Sequence, residues 1–201
     1  MSRAFLCLEL DEAIVTALTR FVDPLRELPG RVAWSPPTNW HITVKYLGET
    51  DPRRFTAIGA NAQSIASQFP EFTLQVAGAG VFPNWHAPRV LWVGVEDPTP
   101  TLHTMVEALE LSLEHIGIRE ELQPYQPHVT IGRVREAYPL TRLQRALARA
   151  PAFGMLSVKW LTLMRSDLTP LGSRYSPVAR YPFASMTRPS NPTNGTSSAH
   201  G

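Results

Sequence analysis

Two short stretches of the chain share one pattern: histidine, an apolar residue, threonine and a second apolar residue. The first is His41-Ile42-Thr43-Val44, and the second, His128-Val129-Thr130-Ile131, begins 87 residues later. Side chains of a β-strand alternate between its two faces, so the His and Thr of each stretch would point to one side. We therefore expect two strands that are apolar on one face and carry His and Thr on the other.

Chance does not account well for this repetition. The chain holds six His and 17 Thr among 201 residues, and 43% of its residues are hydrophobic. Random placement then yields about 0.1 copies of the four-residue pattern, against the two that are present. The alternative interpretation is a pair of half-buried strand histidines that bond to their neighbours and have no chemical role.

The surrounding sequence alternates between helix and strand patterns. The first predicted helix begins at an N-cap, Asp11, and is ended by Pro24 and Pro29-Gly30. Three more helices are predicted after Pro52, over 102–116 and over 140–147. Strands are predicted at 4–10, 32–34, 72–76 with interruptions at Gly78 and Gly80, 89–95, 155–165 and 174–183, besides the His strands, of which Gly48 closes the first. The order helix, His strand, helix, strand occurs twice, which predicts two lobes related by an approximate two-fold axis.

Composition narrows the class of protein. The single cysteine, Cys7, excludes an internal disulfide framework and a cysteine-rich zinc site. A net charge of +2 permits an anionic ligand but lacks the basic stripe of a protein that wraps duplex nucleic acid. No apolar run approaches the roughly 20 residues of a membrane span, and the N-terminus resembles a strand rather than a signal peptide. We expect a cytoplasmic, monomeric protein with no membrane association.

The domain boundaries follow from the distribution of apolar residues. Residues 187–201 contain no Leu, Ile, Val or aromatic residue and are rich in Ser, Thr, Asn, Pro and Gly. Such a segment cannot bury enough apolar surface to fold. We therefore predict one domain over 1–183 and a disordered C-terminal tail over 184–201.

Two histidines in one cleft suit acid–base catalysis. An unperturbed imidazole titrates near pH 6.5, so one ring can take a proton while the other gives one. The threonine hydroxyls, on the same face, could bond the non-bridging oxygens of a phosphate. The chain has no Gly-x-Ser-x-Gly nucleophile motif and no phosphate-binding P-loop. His41 and His128 also lack a third ligand at metal-binding spacing, so neither a metal nor a cofactor is expected.

These motifs resemble the 2H phosphoesterase superfamily, and within it the bacterial and archaeal RNA 2',3'-cyclic phosphodiesterases once called 2'-5' RNA ligases. The resemblance runs to about Phe183. It is carried by Phe5-Leu6-Cys7-Leu8-Glu9-Leu10, by Trp34-Ser35-Pro36-Pro37-Thr38-Asn39-Trp40 leading into His41 through Gly48, by Pro88 to Val95, by Pro124-Tyr125-Gln126-Pro127 leading into His128 through Val134, and by Arg165-Ser166 with Gly172 to Tyr175.

The resemblance implies a bilobal α+β fold with a cleft between two antiparallel sheets. It implies an enzyme that hydrolyses an RNA 2',3'-cyclic phosphate end to a 2'-phosphomonoester. His41 would be the proton donor to O3', and His128 the proton acceptor that activates water. Thr43, Thr130 and Arg133 would bind the phosphate.

The resemblance also assigns base stacking to Tyr46, where most relatives carry Phe. Tyr46 and Arg133 each follow their histidine by five residues, so strict alternation would turn both away from the histidines. Either the strands twist or bulge there, or these two assignments are wrong. Alternation instead puts Lys45 on the His41 face, where it could steer phosphate. Trp85 and His86, in the loop 83–88, could flank the cleft and stack on a base.

Two other functions remain open at this stage. The reverse reaction, joining RNA ends by a 2'-5' bond, would use the same site. A binding module for RNA or nucleotides that lost turnover is the other, although both complete His-x-Thr motifs argue against it.

Overall fold

The computed structural model describes residues 2–136, 140–170 and 172–185, which contain nine strands and four α-helices. The strands are β1 (Ser2–Glu9), β2 (Val32–Trp34), β3 (His41–Thr50), β4 (Phe72–Phe82), β5 (Val90–Glu96), β6 (His128–Val134), β7 (Ala152–Val158), β8 (Trp160–Thr169) and β9 (Gly172–Pro182). The helices are α1 (Glu12–Arg26), α2 (Phe55–Ala66), α3 (Thr101–Glu114) and α4 (Thr141–Leu147).

The strands form one curled sheet in which the two His strands are neighbours at the centre. The order is β7-β4-β5-β6-β3-β1-β8-β9, with antiparallel pairing throughout, and β2 pairs with β6 beside this path. The four strands on each side of the β3–β6 boundary make up one lobe. The predicted α+β fold is thus confirmed, with the refinement that the two lobes share a continuous sheet.

The lobes are interleaved along the chain. Strand β4 follows α2 but pairs with β5, whereas β8 follows β7 but pairs with β1. Helices α1 and α4 pack on β7 and β4, and helices α2 and α3 pack on each other and on the opposite lobe. The chain therefore crosses into the second lobe at β4 and returns to the first lobe at β8, which ties the two lobes together.

The helices form where the apolar periodicity predicts them. Asp11 caps α1, its side chain accepting a hydrogen bond from the backbone N–H of Ile14 at 2.9 Å, as predicted. The buried face of α1 carries Ile14, Leu18, Val22 and Leu25. Helix α1 continues past Pro24 to Arg26, so the predicted stop at that proline is wrong. A proline in the last turn removes only one late hydrogen bond, and the neighbouring Leu25 is buried against the core.

Three strand predictions also needed correction. Strand β3 continues past Gly48 to Thr50, and β4 runs through Gly78 and Gly80 to Phe82 with an irregular register near Ala77. The expected strand at 155–165 is two strands, β7 and β8, separated at Lys159. Where the local sequence favours a break, pairing with β1 holds β3 extended and pairing with β5 holds β4 extended.

The C-terminal end of the described chain is paired. Ala184 donates its N–H to the carbonyl of Phe69 and accepts from the N–H of Glu71. The rest of the predicted tail, 186–201, lies outside the described residues. Of the helices in the described ranges, none is both long enough and apolar enough to cross a membrane.

Candidate active site

The His and Thr side chains of each motif share one face of their strand, as the alternation predicts. Along β3 the apolar residues Ile42 and Val44 are buried, whereas His41 and Thr43 are partly exposed. Strand β6 repeats this pattern, and Val129 and Ile131 are both fully buried there. Both motifs therefore anchor in the core through their apolar residues and present His and Thr together.

The two motifs meet at one backbone pair. Ile42 of β3 lies opposite Val129 of β6 in the antiparallel sheet. This register brings His41 across from Thr130 and Thr43 across from His128. The approximate two-fold axis thus passes between the two apolar residues, and each histidine has the threonine of the other motif as its neighbour.

Both histidines are oriented by the loop that precedes their strand. Nδ1 of His41 lies 2.8 Å from the carbonyl oxygen of Asn39, and Nδ1 of His128 lies 2.7 Å from that of Gln126. A carbonyl oxygen only accepts, so Nδ1 carries the proton in each ring and Nε2 is the nitrogen left for proton transfer. Nε2 of His41 is 3.1 Å from Oγ1 of Thr43.

Aromatic side chains hold both rings. Phe5 of β1 stacks on His41 at 4.6 Å between centroids, and Tyr175 of β9 meets the same ring edge-on at 5.3 Å. On the other side, Phe82 of β4 contacts His128 edge-on at 5.0 Å. The rings are therefore packed in fixed orientations and partly removed from solvent.

This burial controls the charge of both imidazoles. Burial lowers the pKa of His41 below its usual 6.5. The hydrogen bond to the Asn39 carbonyl partly opposes this shift, and the charge of His128 adds to it. Burial also lowers the pKa of His128, the Gln126 carbonyl opposes it, and the Arg133 guanidinium adds to the lowering. The neutral form of each ring is thus favoured in the free protein, and a bound anion would favour the protonated form.

One cavity of about 510 Å³ gathers most of the predicted site residues. His41, Thr43, Tyr46, Thr130 and Arg133 all line it. His128 instead lines an adjoining cavity of about 530 Å³, together with Phe82, Trp92 and Tyr125. The two histidines therefore line two different cavities, although they lie on adjacent strands.

A matched pair of β-bulges explains why Tyr46 and Arg133 share the histidine face. Consecutive residues Leu6 and Cys7 of β1 pair with Lys45 and Thr43, so Val44 is an extra residue in β3. Each bulge reverses the alternation that follows it. Tyr46 consequently points to the cavity with 58% of its surface exposed.

The second bulge repeats the first in β6. Consecutive residues Leu91 and Trp92 of β5 pair with Gly132 and Thr130, which leaves Ile131 as the extra residue. Arg133 is thereby turned to the cavity. Of the two alternatives for Tyr46 and Arg133, the bulge is therefore the one present.

The expectation that Lys45 shares the His41 face is wrong for the same reason. Lys45 is only 5% exposed, and its Nζ lies 2.5 Å from a carboxylate oxygen of Glu110 and 2.7 Å from the carbonyl of Arg119. The bulge at Val44 turns this side chain towards α3, away from the cavity. Lys45 is a buried structural cation.

Sequence reasoning also missed a bond between the two motifs. The hydroxyl of Tyr125, in the loop before β6, donates to the backbone carbonyl of Thr43 at 3.0 Å. Burial, and then the Asp97 carboxylate, raise the pKa of Tyr125, so its phenol stays protonated and able to donate. In the sequence, this bond was signalled only by the presence of Tyr125 in the stretch Pro124–Pro127, which carries part of the family resemblance.

Trp85 and His86 lie beside the site rather than in it. They line a third cavity, of about 810 Å³, which shares Arg133 with the cavity of His41. Within the described ranges, no three His, Cys, Asp or Glu side chains come together as a metal-binding group.

Comparison with known proteins yields one family. The profile of the 2'-5' RNA ligase superfamily matches residues 12–170. An RNA 2',3'-cyclic phosphodiesterase of Methanothermobacter thermautotrophicus is 32% identical over 176 residues, which is 87% of this chain and 95% of the relative. The enzyme of the same name from Aeropyrum pernix is 32% identical over 152 residues, 75% of this chain and 85% of the relative.

Two solved structures have the same fold as this chain. The protein TT0787 of Thermus thermophilus superimposes with a TM-score of 0.77 at 25% identity, over 92% of this chain and all of that one. Escherichia coli LigT complexed with 3'-AMP gives a TM-score of 0.74 at 25% identity, over 90% of this chain and 98% of that one.

Proposed function

Given that this chain belongs to the 2'-5' RNA ligase superfamily, we propose that it hydrolyses RNA 2',3'-cyclic phosphate ends to 2'-phosphomonoesters by two-histidine acid–base catalysis. The relatives named RNA 2',3'-cyclic phosphodiesterase support the reaction. The observation that carries the mechanism is the pair of imidazoles on adjacent strands. Each binds a backbone carbonyl through Nδ1 and so has Nε2 left to move a proton.

The reaction requires one proton transfer at each end of an in-line displacement. Nε2 of His128 takes a proton from water as the water oxygen bonds to phosphorus. Nε2 of His41 gives a proton to O3' as the bond between phosphorus and O3' breaks. The products are a 2'-phosphate and a 3'-hydroxyl, and the two histidines end with their protonation states exchanged.

Arg133 supports this assignment of roles. Its guanidinium adds to the lowering of the His128 pKa, which favours the neutral ring that a base requires. When His128 is neutral, one of the influences that lower the His41 pKa is absent. The negative charge of the bound phosphate further favours a protonated His41, as an acid requires.

The remaining polar groups suit the phosphate. Thr43 and Thr130 carry hydroxyls on the same face as the histidines, so each can donate to a non-bridging oxygen. Arg133, in the same cavity, supplies positive charge where negative charge collects in the transition state. No metal-bound water is needed in this scheme, because the two imidazoles provide both proton transfers.

Tyr46 suits the terminal base. Its ring is 58% exposed at the mouth of the His41 cavity. An exposed aromatic ring next to a phosphate site offers a stacking surface for any base. We expect a single chain to suffice, because both motifs come from it.

The test is an oligonucleotide ending in a 2',3'-cyclic phosphate, incubated with the protein in EDTA. We expect hydrolysis to persist and the product to carry a 2'-phosphate. His41→Ala and His128→Ala should each lose about 10² to 10⁴ in kcat. His115→Ala, at an exposed position just after α3, should match the wild type.

Three outcomes would contradict the proposal. A 3'-phosphate product would reverse the regiochemistry. Loss of activity in EDTA would require a metal. Tight binding of the oligonucleotide with no product at all would favour a module that binds without turnover.

A further inference from the structure

The cavity beside the active site has the character of an anion site with aromatic walls. Its lining includes Trp85, His86, Arg89, Arg133 and Arg135, and it holds about 810 Å³. Arg133 also lines the cavity of His41, so the two spaces share a wall. A ligand phosphate near His41 thus lies next to a second basic space.

The charge in this cavity is not neutralised. Within the described residues, the guanidinium groups of Arg89, Arg133 and Arg135 form no ion pair. Glu136 also lines the space, but it pairs with Arg31 at 3.1 Å. The cavity therefore presents a net positive surface, as an extended polyanion requires.

The loop that carries Trp85 is held in place by its own hydrogen bonds. The side-chain oxygen of Asn84 accepts from the N–H groups of His86 and Ala87, at 2.9 and 3.2 Å. At its end, Arg89 donates its N–H to the carbonyl of Phe82 at 2.8 Å. Arg89 in turn accepts from Val134 of β6 at 3.0 Å. The backbone on both sides of Trp85 and at Arg89 is thus held in place relative to the strand that bears His128.

We propose that this cavity binds the RNA nucleotides that precede the terminal one. Trp85 stacks on the base of one of these nucleotides. Arg89 and Arg135 contact the phosphates that link them to the terminal nucleotide. Single-stranded RNA is held in this way, by arginine along the backbone and by aromatic rings under the bases. This inference rests on the proposed function, because it extends the same substrate away from His41.

The test compares substrates of different length. The wild type is assayed on a 2',3'-cyclic mononucleotide and on a tetranucleotide ending in the same nucleotide with a 2',3'-cyclic phosphate. We expect kcat/KM to be about tenfold higher for the tetranucleotide, since only it reaches the second cavity. Arg89→Ala/Arg135→Ala should remove this advantage and leave the mononucleotide rate unchanged.

Two further variants identify the contacts. Trp85→Leu, which keeps an apolar side chain but removes the ring, should lower kcat/KM for the tetranucleotide about fivefold or more, and Trp85→Phe should retain it. Arg20→Ala/Arg53→Ala removes the same charge from exposed positions that do not line the cavity, and should leave the length preference intact.

A binding measurement separates this inference from the proposed function. The probe is a labelled tetranucleotide with a 2'-phosphate end, whose anisotropy reports Kd without turnover. The logarithm of the association constant falls as the logarithm of the salt concentration rises, and this slope should be less steep by about 1.4 in Arg89→Ala/Arg135→Ala. That change corresponds to two lost phosphate contacts on a single strand. That result would support the cavity even if the wild type hydrolysed no cyclic phosphate, an outcome that would reject the proposed function.

Two outcomes would overturn the inference. One is equal kcat/KM for the mononucleotide and the tetranucleotide in the wild type. The other is a tetranucleotide affinity that is the same in the wild type and in Arg89→Ala/Arg135→Ala.

Discussion

Val44 and Ile131 occupy the same place in the two lobes, each being the third residue after its histidine and the extra residue of a β-bulge. Both side chains are buried, at 4% and 0% exposure. Each bulge brings the residue five positions after the histidine back to the histidine face. Tyr46 and Arg133 reach the site for this reason.

The first prediction follows for Tyr46. Tyr46→Ala should raise KM for a cyclic-phosphate oligonucleotide about tenfold, because it removes the exposed ring that would stack on the terminal base. Tyr46→Phe keeps the ring and should stay within about twofold of the wild type, since stacking needs no hydroxyl. Steady-state kinetics with separate kcat and KM check this. An unchanged KM in Tyr46→Ala would contradict a role of this ring in substrate binding.

The second prediction concerns the buried ion pair between Lys45 and Glu110. Lys45→Met leaves the Glu110 carboxylate without its cation, and should lower the free energy of unfolding by about 3 kcal/mol. Lys45→Met/Glu110→Leu removes both charges and should recover most of that loss. Urea unfolding measures both variants.

The same variants test whether Lys45 acts on the substrate. Because Lys45 points away from the cavity, kcat/KM of folded Lys45→Met should stay close to the wild type. A hundredfold loss of kcat/KM in folded Lys45→Met would instead indicate that Lys45 acts on the phosphate.

The third prediction concerns Gly94, which lies opposite His128 in the sheet. A Cβ at this position would lie 2.6 Å from the backbone oxygen of Ala77, which has no free end to rotate away. Gly94→Ala should therefore destabilise the protein by about 1–3 kcal/mol and reduce kcat by shifting His128. In Gly59→Ala the neighbour is the end of the Tyr181 side chain, which can move, so thermal denaturation should show a smaller loss.

The fourth prediction is a pH profile. In the proposed mechanism His128 is the base and works when deprotonated, so kcat/KM rises as pH increases through its pKa. The acid, His41, works when protonated, so kcat/KM falls as pH increases through its pKa. Both pKa values are lowered from 6.5 by burial, so the maximum of kcat/KM should lie below pH 6.5.

The profile of kcat provides the internal control. The bound phosphate stabilises both imidazolium ions, so the maximum of kcat should lie at higher pH than that of kcat/KM. Fluorescence at each pH shows whether the protein stays folded. A kcat/KM maximum well above pH 6.5 would mean that the histidines are not the groups that titrate.

The features that the sequence predicts are those with local causes. The alternation of His, apolar and Thr residues predicts the face that carries His and Thr, and the spacing of Ile14, Leu18 and Val22 predicts the buried face of α1. Asp11 signals the start of that helix because a short acidic side chain satisfies the free N–H groups there. In each case, neighbours within a few residues decide the structure.

The features that it misses depend on distant partners. No glycine or proline stands beside the bulge at Val44, and both bulges, at Val44 and at Ile131, depend on the register of the adjacent strands β1 and β5. The local alternation places Lys45 on the His41 face and misses its burial, since its partner Glu110 is 65 residues away. Tyr125 likewise bonds to Thr43 across 82 residues. Such contacts exist only once the lobes have formed.

The central claim is that His41 protonates O3' while His128 activates water. A cyclic phosphate with sulfur in place of O3' tests it most directly, because a thiolate leaves without a proton. We expect this substrate to restore His41→Ala to near the wild-type rate and to leave His128→Ala impaired by about 10² or more. Rescue of His128→Ala instead would exchange the two roles, and rescue of neither would contradict the assignment of His41 as the acid.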